Sequence, residues 1–94
     1  MSQKIIALKL TSGEEIIARL EEHDKETLTL DRPMTLGIGA SPEDPRRPVI
    51  QMMPWLVSNQ DGTCKVNRSH VVAQIIPHAE LEKGYLSQTS GIQL

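Results

Sequence analysis

The sequence predicts a small, mostly β domain with one short helix near its C-terminus. Three observations carry that expectation. The chain has 94 residues, enough for a single domain (1–94) with one modest core. Apolar residues alternate at period two in residues 4–10 and 27–31, residues 71–76 are β-branched and strand-like, and Gly, Pro, Asn and Ser cluster between those runs. Residues 77–86 carry helical spacing instead, so the core is expected in 4–76 and a helix with its tail in 77–94.

In the first run, Ile6, Leu8 and Leu10 share one face and Lys9 takes the other, the pattern of a half-buried strand. Ser12-Gly13 then reads as a turn. Residues 14–26 admit two readings. Their Glu, Ala, Leu, Lys and Arg content favours a helix, and Ser12 with Glu15 fits a capping box. As a strand, the same residues place Ile16, Ala18 and Leu20 on one face with Arg19 and Glu21 on the other. The helix yields a βαβ unit and the strand yields a meander; local pattern slightly favours the helix. Residues 27–31 alternate cleanly. Residues 37–48 hold three prolines and two glycines, the composition of a loop. Residues 49–57 return as a strand in which Pro54 marks a bend, bulge or edge. Residues 59–62, Asn-Gln-Asp-Gly, read as a turn, and the β-branched run 71–76 is stopped by Pro77. The tail opens with Pro77, carries Glu80 and Glu82 early and spaces Leu81 and Tyr85 at i, i+4, which is helical patterning. A helix over 78–88 follows, fraying near Thr89-Ser90-Gly91.

Composition narrows the function. Ten Lys plus Arg against 12 Asp plus Glu leave a net charge of −2, too acidic to coat nucleic acid by bulk charge. Any nucleic-acid site has to be local. With no Phe, one Trp and one Tyr, an open stacking platform for single strands is excluded. A single cysteine, Cys64, permits no intrachain disulfide and suits a reducing compartment. No apolar run approaches the ~18 residues of a membrane span, and the first residues lack signal-peptide architecture. A cytoplasmic protein with no membrane partner is the expectation.

Candidate catalytic and metal chemistry is sparse. His23, His70, His78 and Cys64 match no zinc-ligand spacing, so no metal or cofactor is expected. Glu14, Glu15, Glu21 and Glu22 read as a solvated face, not as a shifted catalytic pair. Gly37-Ile38-Gly39 lacks the third glycine of a phosphate loop and runs into prolines. Asn67-Arg68-Ser69 is formally a glycosylation sequon, without meaning in a chain that is not secreted. Arg46-Arg47 forms a small basic tip on the long loop, solvated or in contact with phosphate. An enzyme is not expected.

One ordered set of residues is more specific. Leu10, Gly13, Ala18, Leu20, Asp24, Leu28 and Leu30 stand in the order of the first motif of the Sm/Lsm family of small RNA-binding ring proteins, which the chain resembles over residues 4–34. A second block, roughly 64–76, resembles that family's second motif: Arg68 holds the Arg position, Ser69 replaces the usual Gly, and Ile75 follows seven residues on. Short Sm-like proteins encoded by tailed phages are more similar still, in Met53-Pro54-Trp55-Leu56 and in the tail from Tyr85 through Ser90-Gly91-Ile92. The resemblance implies a strongly bent five-stranded antiparallel barrel, here with a C-terminal helix, and it tips residues 14–26 to strand. It also implies a homo-oligomeric ring of roughly five to seven copies, closed head to tail by pairing residues 49–57 with 71–76 of a neighbour.

By the same resemblance, single-stranded RNA or DNA would be held without catalysis by loops facing the pore. The residues so implied are Asp24, Lys25, Thr27, Asn67, Arg68, Ser69 and His70. The chain departs from the family here. Thr27 replaces the base-contacting Asn, Lys25-Glu26 replace an aromatic or His, and the loop after Asp24 is one residue short. Two alternatives stand beside this reading: Arg68 pairs with Asp24 only to brace two loops, or the ring is an assembly scaffold that binds no nucleic acid.

Overall fold

A computed structural model describes residues 4–59 and 62–89. The expectations for the first three residues, for the middle of the turn at 59–62 and for the tail at 90–92 lie outside the described residues. The elements are β1 (Lys4–Leu10), β2 (Glu15–His23), β3 (Thr27–Ala40), β4 (Pro48–Pro54), β5 (Thr63–Asn67), a 3-10 turn (Arg68–His70), β6 (Val71–Ile75) and helix α1 (Ala79–Thr89). Every strand pair is antiparallel. The protein is therefore mostly β with one short C-terminal helix, and residues 15–23 are strand, which excludes the βαβ alternative.

The sheet runs β4-β3-β2-β1-β6, with β5 also on β3. Strand β3 is long because it serves two partners in succession. Residues 27–31 pair with β5, and residues 34–40 pair with β4. The change falls at Arg32-Pro33, where β3 bulges against β2: Ile17 faces Met34 and Arg19 faces Asp31, so two residues oppose Ala18 alone. Arg32 sits there at φ 49°. A second irregularity follows between Leu20 and Glu22. Bulges bend and twist the strands that carry them, so this pair curves in two places.

Three boundaries differ from the sequence expectation. Residues 37–40 are strand, not loop, because seven consecutive pairings with β4 outweigh the strand-weakening glycines. The expected strand 49–57 ends at Pro54, beyond which the Trp55 N–H turns aside to donate to the Pro33 carbonyl at 3.0 Å. Among the described residues the count is six strands instead of five, because residues 63–67 pair on their own with the first half of β3. Among the described residues the sheet does not close: β4 and β5 form one edge and β6 the other.

The core lies on both faces. One face gathers Ile6, Leu8, Leu10, Ile16, Ala18, Leu28, Leu30 and Val66, with Trp55, Cys64 and Val71 packed against them. The opposite face gathers Ile5, Ile17, Met34 and Tyr85, with Leu36, Met52, Leu81 and Leu86 alongside. Helix α1 supplies Leu81, Tyr85 and Leu86 to that second cluster, which is why Ile5 is buried along with Ile6 and Leu8. At the β1–β2 turn, Gly13 adopts φ 97°, a conformation that costs an L side chain roughly 1–2 kcal/mol.

Candidate functional site

The loop from β2 to β3 and the 3-10 turn before β6 come together. Asp24 organises the first. Its Oδ1 accepts the backbone N–H groups of Glu26 and Thr27, both at 2.8 Å, and its own N–H donates to the Thr27 carbonyl at 2.9 Å. Those two N–H groups, helped by the Arg68 and Lys65 charges, hold the Asp24 carboxyl below its ordinary value although some burial opposes them. Asn67 organises the second: its Oδ1 accepts the Ser69 N–H at 3.1 Å, capping the turn as a short polar side chain does. The His70 carbonyl then accepts the Thr11 N–H at 2.8 Å, tying the turn to the end of β1.

Arg68 joins the two loops. Its backbone N–H donates to the Glu26 carbonyl at 2.8 Å, and its Nε donates to the Asp24 carbonyl at 2.6 Å. Its Nη2 stands 3.5 Å from His23 Nδ1. The brace thus runs through the Asp24 carbonyl, while the Asp24 carboxylate caps its own loop. Strand pairing adds to the same surface, setting Thr27 opposite Asn67 and Thr29 opposite Lys65.

Beside the β2–β3 loop, over β3 and β5, lies a cleft of about 80 Å³ lined by Glu22, His23, Asp24, Thr27, Thr29 and Lys65. Of the seven residues that the sequence implicates, Asp24 and Thr27 line the cleft directly. Asn67 and Arg68 stand at its border through the Thr27 pairing and the Asp24 hydrogen bond. Lys25, Ser69 and His70 are exposed on the loop and turn beside it. Sequence reasoning missed Glu22, His23, Thr29 and Lys65. The signal for Lys65 was its spacing of two from Asn67, which puts both on one face of a strand.

The charge of the surface is balanced. Lys25, Lys65 and Arg68 stand against Glu22, Asp24 and Glu26. Such a site offers directed hydrogen-bond donors and acceptors more than a positive field. Cys64, behind it on β5, is half-buried and packs against the first core cluster, and burial pushes its thiol up from the ordinary value. Among the described residues, no group of three or more His, Cys, Asp or Glu could hold a metal ion, and no helix is long and apolar enough to cross a membrane.

What fold and site define together is a small antiparallel β domain with a polar cleft beside a loop that Arg68 braces to a neighbouring turn. Compared with known proteins, the chain matches no family model and no curated relative.

Proposed function

We propose that this chain is an Sm-like ring protein that contacts single-stranded RNA or DNA, without catalysis, at the cleft beside residues 24–27 and at the 67–70 turn braced to that loop. The observation that carries the reading is the brace: Arg68, in the position of the family's Arg, locks both loops into one surface through Asp24 and Glu26. The strand order is in keeping with it. If β4 and β5 are counted as one strand interrupted at residues 55–62, the sheet becomes the five-stranded bent arrangement that the resemblance implies. Its two open edges are those a head-to-tail ring would pair. They present apolar side chains to solvent, Ile50 and Met53 on β4 and Val72 and Ile75 on β6, a hazard that proteins manage by pairing or covering the edge. Closure of about five to seven copies would repeat Lys25, Lys65 and His70 around the pore, so that weak contacts act together. The protein would work in the cytoplasm.

Balanced local charge makes the expected binding weak and steeply salt-dependent, and Lys25-Glu26 in place of a stacking residue makes uridine selectivity small. The test titrates labelled oligo-U and oligo-A at low salt. It compares wild type with Lys65→Ala and with Lys25→Ala, which leave the Arg68 brace intact. Weakened binding in both variants supports the cleft. Wild-type binding that neither variant weakens moves the site elsewhere, with Arg46 and Arg47 the next candidates. No binding by wild type favours the scaffold reading, which has its own observation: the Arg68 guanidinium is already engaged by Asp24 and His23.

A further inference from the structure

Helix α1 covers only part of the sheet's second face. Past its N-terminus the same face continues as an apolar groove of about 350 Å³, floored by Ala7 and Leu36 and walled by Ile38, Ile50, Ile76 and Leu81. The helix meets the sheet through Leu81, Tyr85 and Leu86. Eleven residues make a marginal helix on their own, and Gly84 weakens this one further. A polar fastening at its C-terminal end adds to that apolar packing. The Tyr85 hydroxyl donates to the carbonyls of Asp31 and Arg32, each at 2.9 Å. Arg32 Nη1 donates to the Thr89 carbonyl. Arg19 Nη2 donates to Thr89 Oγ1 at 3.5 Å, and the Arg19 guanidinium lies 5.9 Å from the centre of the Tyr85 ring. Both cations also suit the negative end of the helix dipole.

Asp31 lies inside this fastening and is poorly served by it. Its side chain is 17% exposed, yet its ion pairs with Arg19 and Arg32 are long, 3.6 and 4.0 Å, where a charge-assisted hydrogen bond spans about 2.7–2.9 Å. The Tyr85 hydroxyl serves two backbone carbonyls and not this carboxylate. The charged and titratable groups around Asp31 are Arg19 and Glu21 on β2, Arg32 on β3 and Tyr85 on α1. We propose that α1 is a latch over the second face, and that the ionised Asp31 carboxylate works against its closure.

The physical reason is that Asp31, opposite Arg19 and with its carbonyl under the Tyr85 hydroxyl, holds a largely buried charge without a hydrogen bond of ordinary length. Burial accordingly raises the Asp31 carboxyl above its ordinary value, against the pull of Arg32, with a push from Glu21 and against the pull of Arg19. Lifting α1 returns water to Asp31 and lowers that value. By linkage, proton binding then favours the closed helix and proton release favours the open one. The latch is tightest in acid and loosens as pH rises through the raised value. This sign is opposite to that of a latch held by its ion pairs. Once open, it bares Ile5, Ile17, Met34 and Met52 and lengthens the apolar groove along the sheet.

The test is amide hydrogen exchange across residues 82–89 at neutral pH in wild type and Asp31→Asn, which keeps the shape and removes the charge. Exchange in α1 is expected to slow by about twofold or more, with β1 and β2 unchanged. Equal or faster exchange in the variant overturns the proposal, since it would show the carboxylate holding the arginines in place. The wild type supplies a second reading should the variant fold poorly. Protection of α1, corrected for intrinsic exchange, is expected to fall from about pH 4 to about pH 7; protection that stays flat or rises overturns the proposal as well.

Discussion

Removing the Tyr85 hydroxyl tests how the helix is attached to the sheet. Tyr85 is fully buried, at 0% exposure, and its hydroxyl is a donor to two carbonyls at 2.9 Å. Tyr85→Phe keeps the ring in place and takes only that donor away. Buried acceptors left without a partner cost about 1–3 kcal/mol. In a chain of this length each kcal/mol lowers the melting midpoint by about 4–8 °C. Tyr85→Ala also empties the ring's volume, for about 3–5 kcal/mol. The first core cluster contains neither Tyr85 nor any residue of α1. Loss of the ring is therefore expected to free the helix before the strands unfold. The assay is urea unfolding at fixed protein concentration, followed at helical and strand wavelengths. A Phe variant within about 0.3 kcal/mol of wild type would refute the role given to the hydroxyl. A single coincident transition in the Ala variant would refute the separation of helix from sheet.

Other expectations follow from the same structure. Gly13→Ala forces a methyl-bearing residue to φ 97° and is expected to cost about 1–2 kcal/mol in thermal unfolding, despite the open space around it. The Asp24 carboxyl is held low by the Glu26 and Thr27 N–H groups. Its contribution is present above the ordinary aspartate value and is lost as pH falls through the lowered one. Asp24→Asn should thus be less stable than wild type near neutral pH, with the gap closing in strong acid; a gap that persists there contradicts the assignment. Val72 has no partner on β1, because the β1–β6 register shifts beside it, and it is exposed on the outer edge. Val72→Pro is expected to leave the fold intact by circular dichroism while abolishing assembly; an unchanged particle mass would count against edge pairing.

The strand reading of residues 15–23 came from the family resemblance carried by Leu10, Gly13, Ala18, Leu20 and Asp24, against a local pattern that slightly favours a helix. Alternation was hidden there because Ile16, Ile17 and Ala18 are all buried, some on each face of the sheet. The extent of β3 was not legible. Pro33, Gly37 and Gly39 carry turn chemistry, and only tertiary pairing first with β5 and then with β4 keeps the chain extended through them. At the site, Asp24 announced its loop, since an aspartate two and three residues before free N–H groups is turn chemistry. His23, at the end of β2, comes in through the pairing of β2 with β3, and Lys65 through that of β5 with β3; the spacing of Lys65 from Asn67 was the one signal in a run, Cys64-Lys65-Val66, too short to show a period. Arg68 was legible in position; that its Nε would reach a carbonyl instead of the Asp24 carboxylate was not.

The ring is the claim on which the nucleic-acid reading rests, and particle mass in solution tests it most directly. Light scattering on a sizing column at micromolar concentration should give one species with a mass several times the 10.5 kDa of the chain. A species of 10.5 kDa would contradict it.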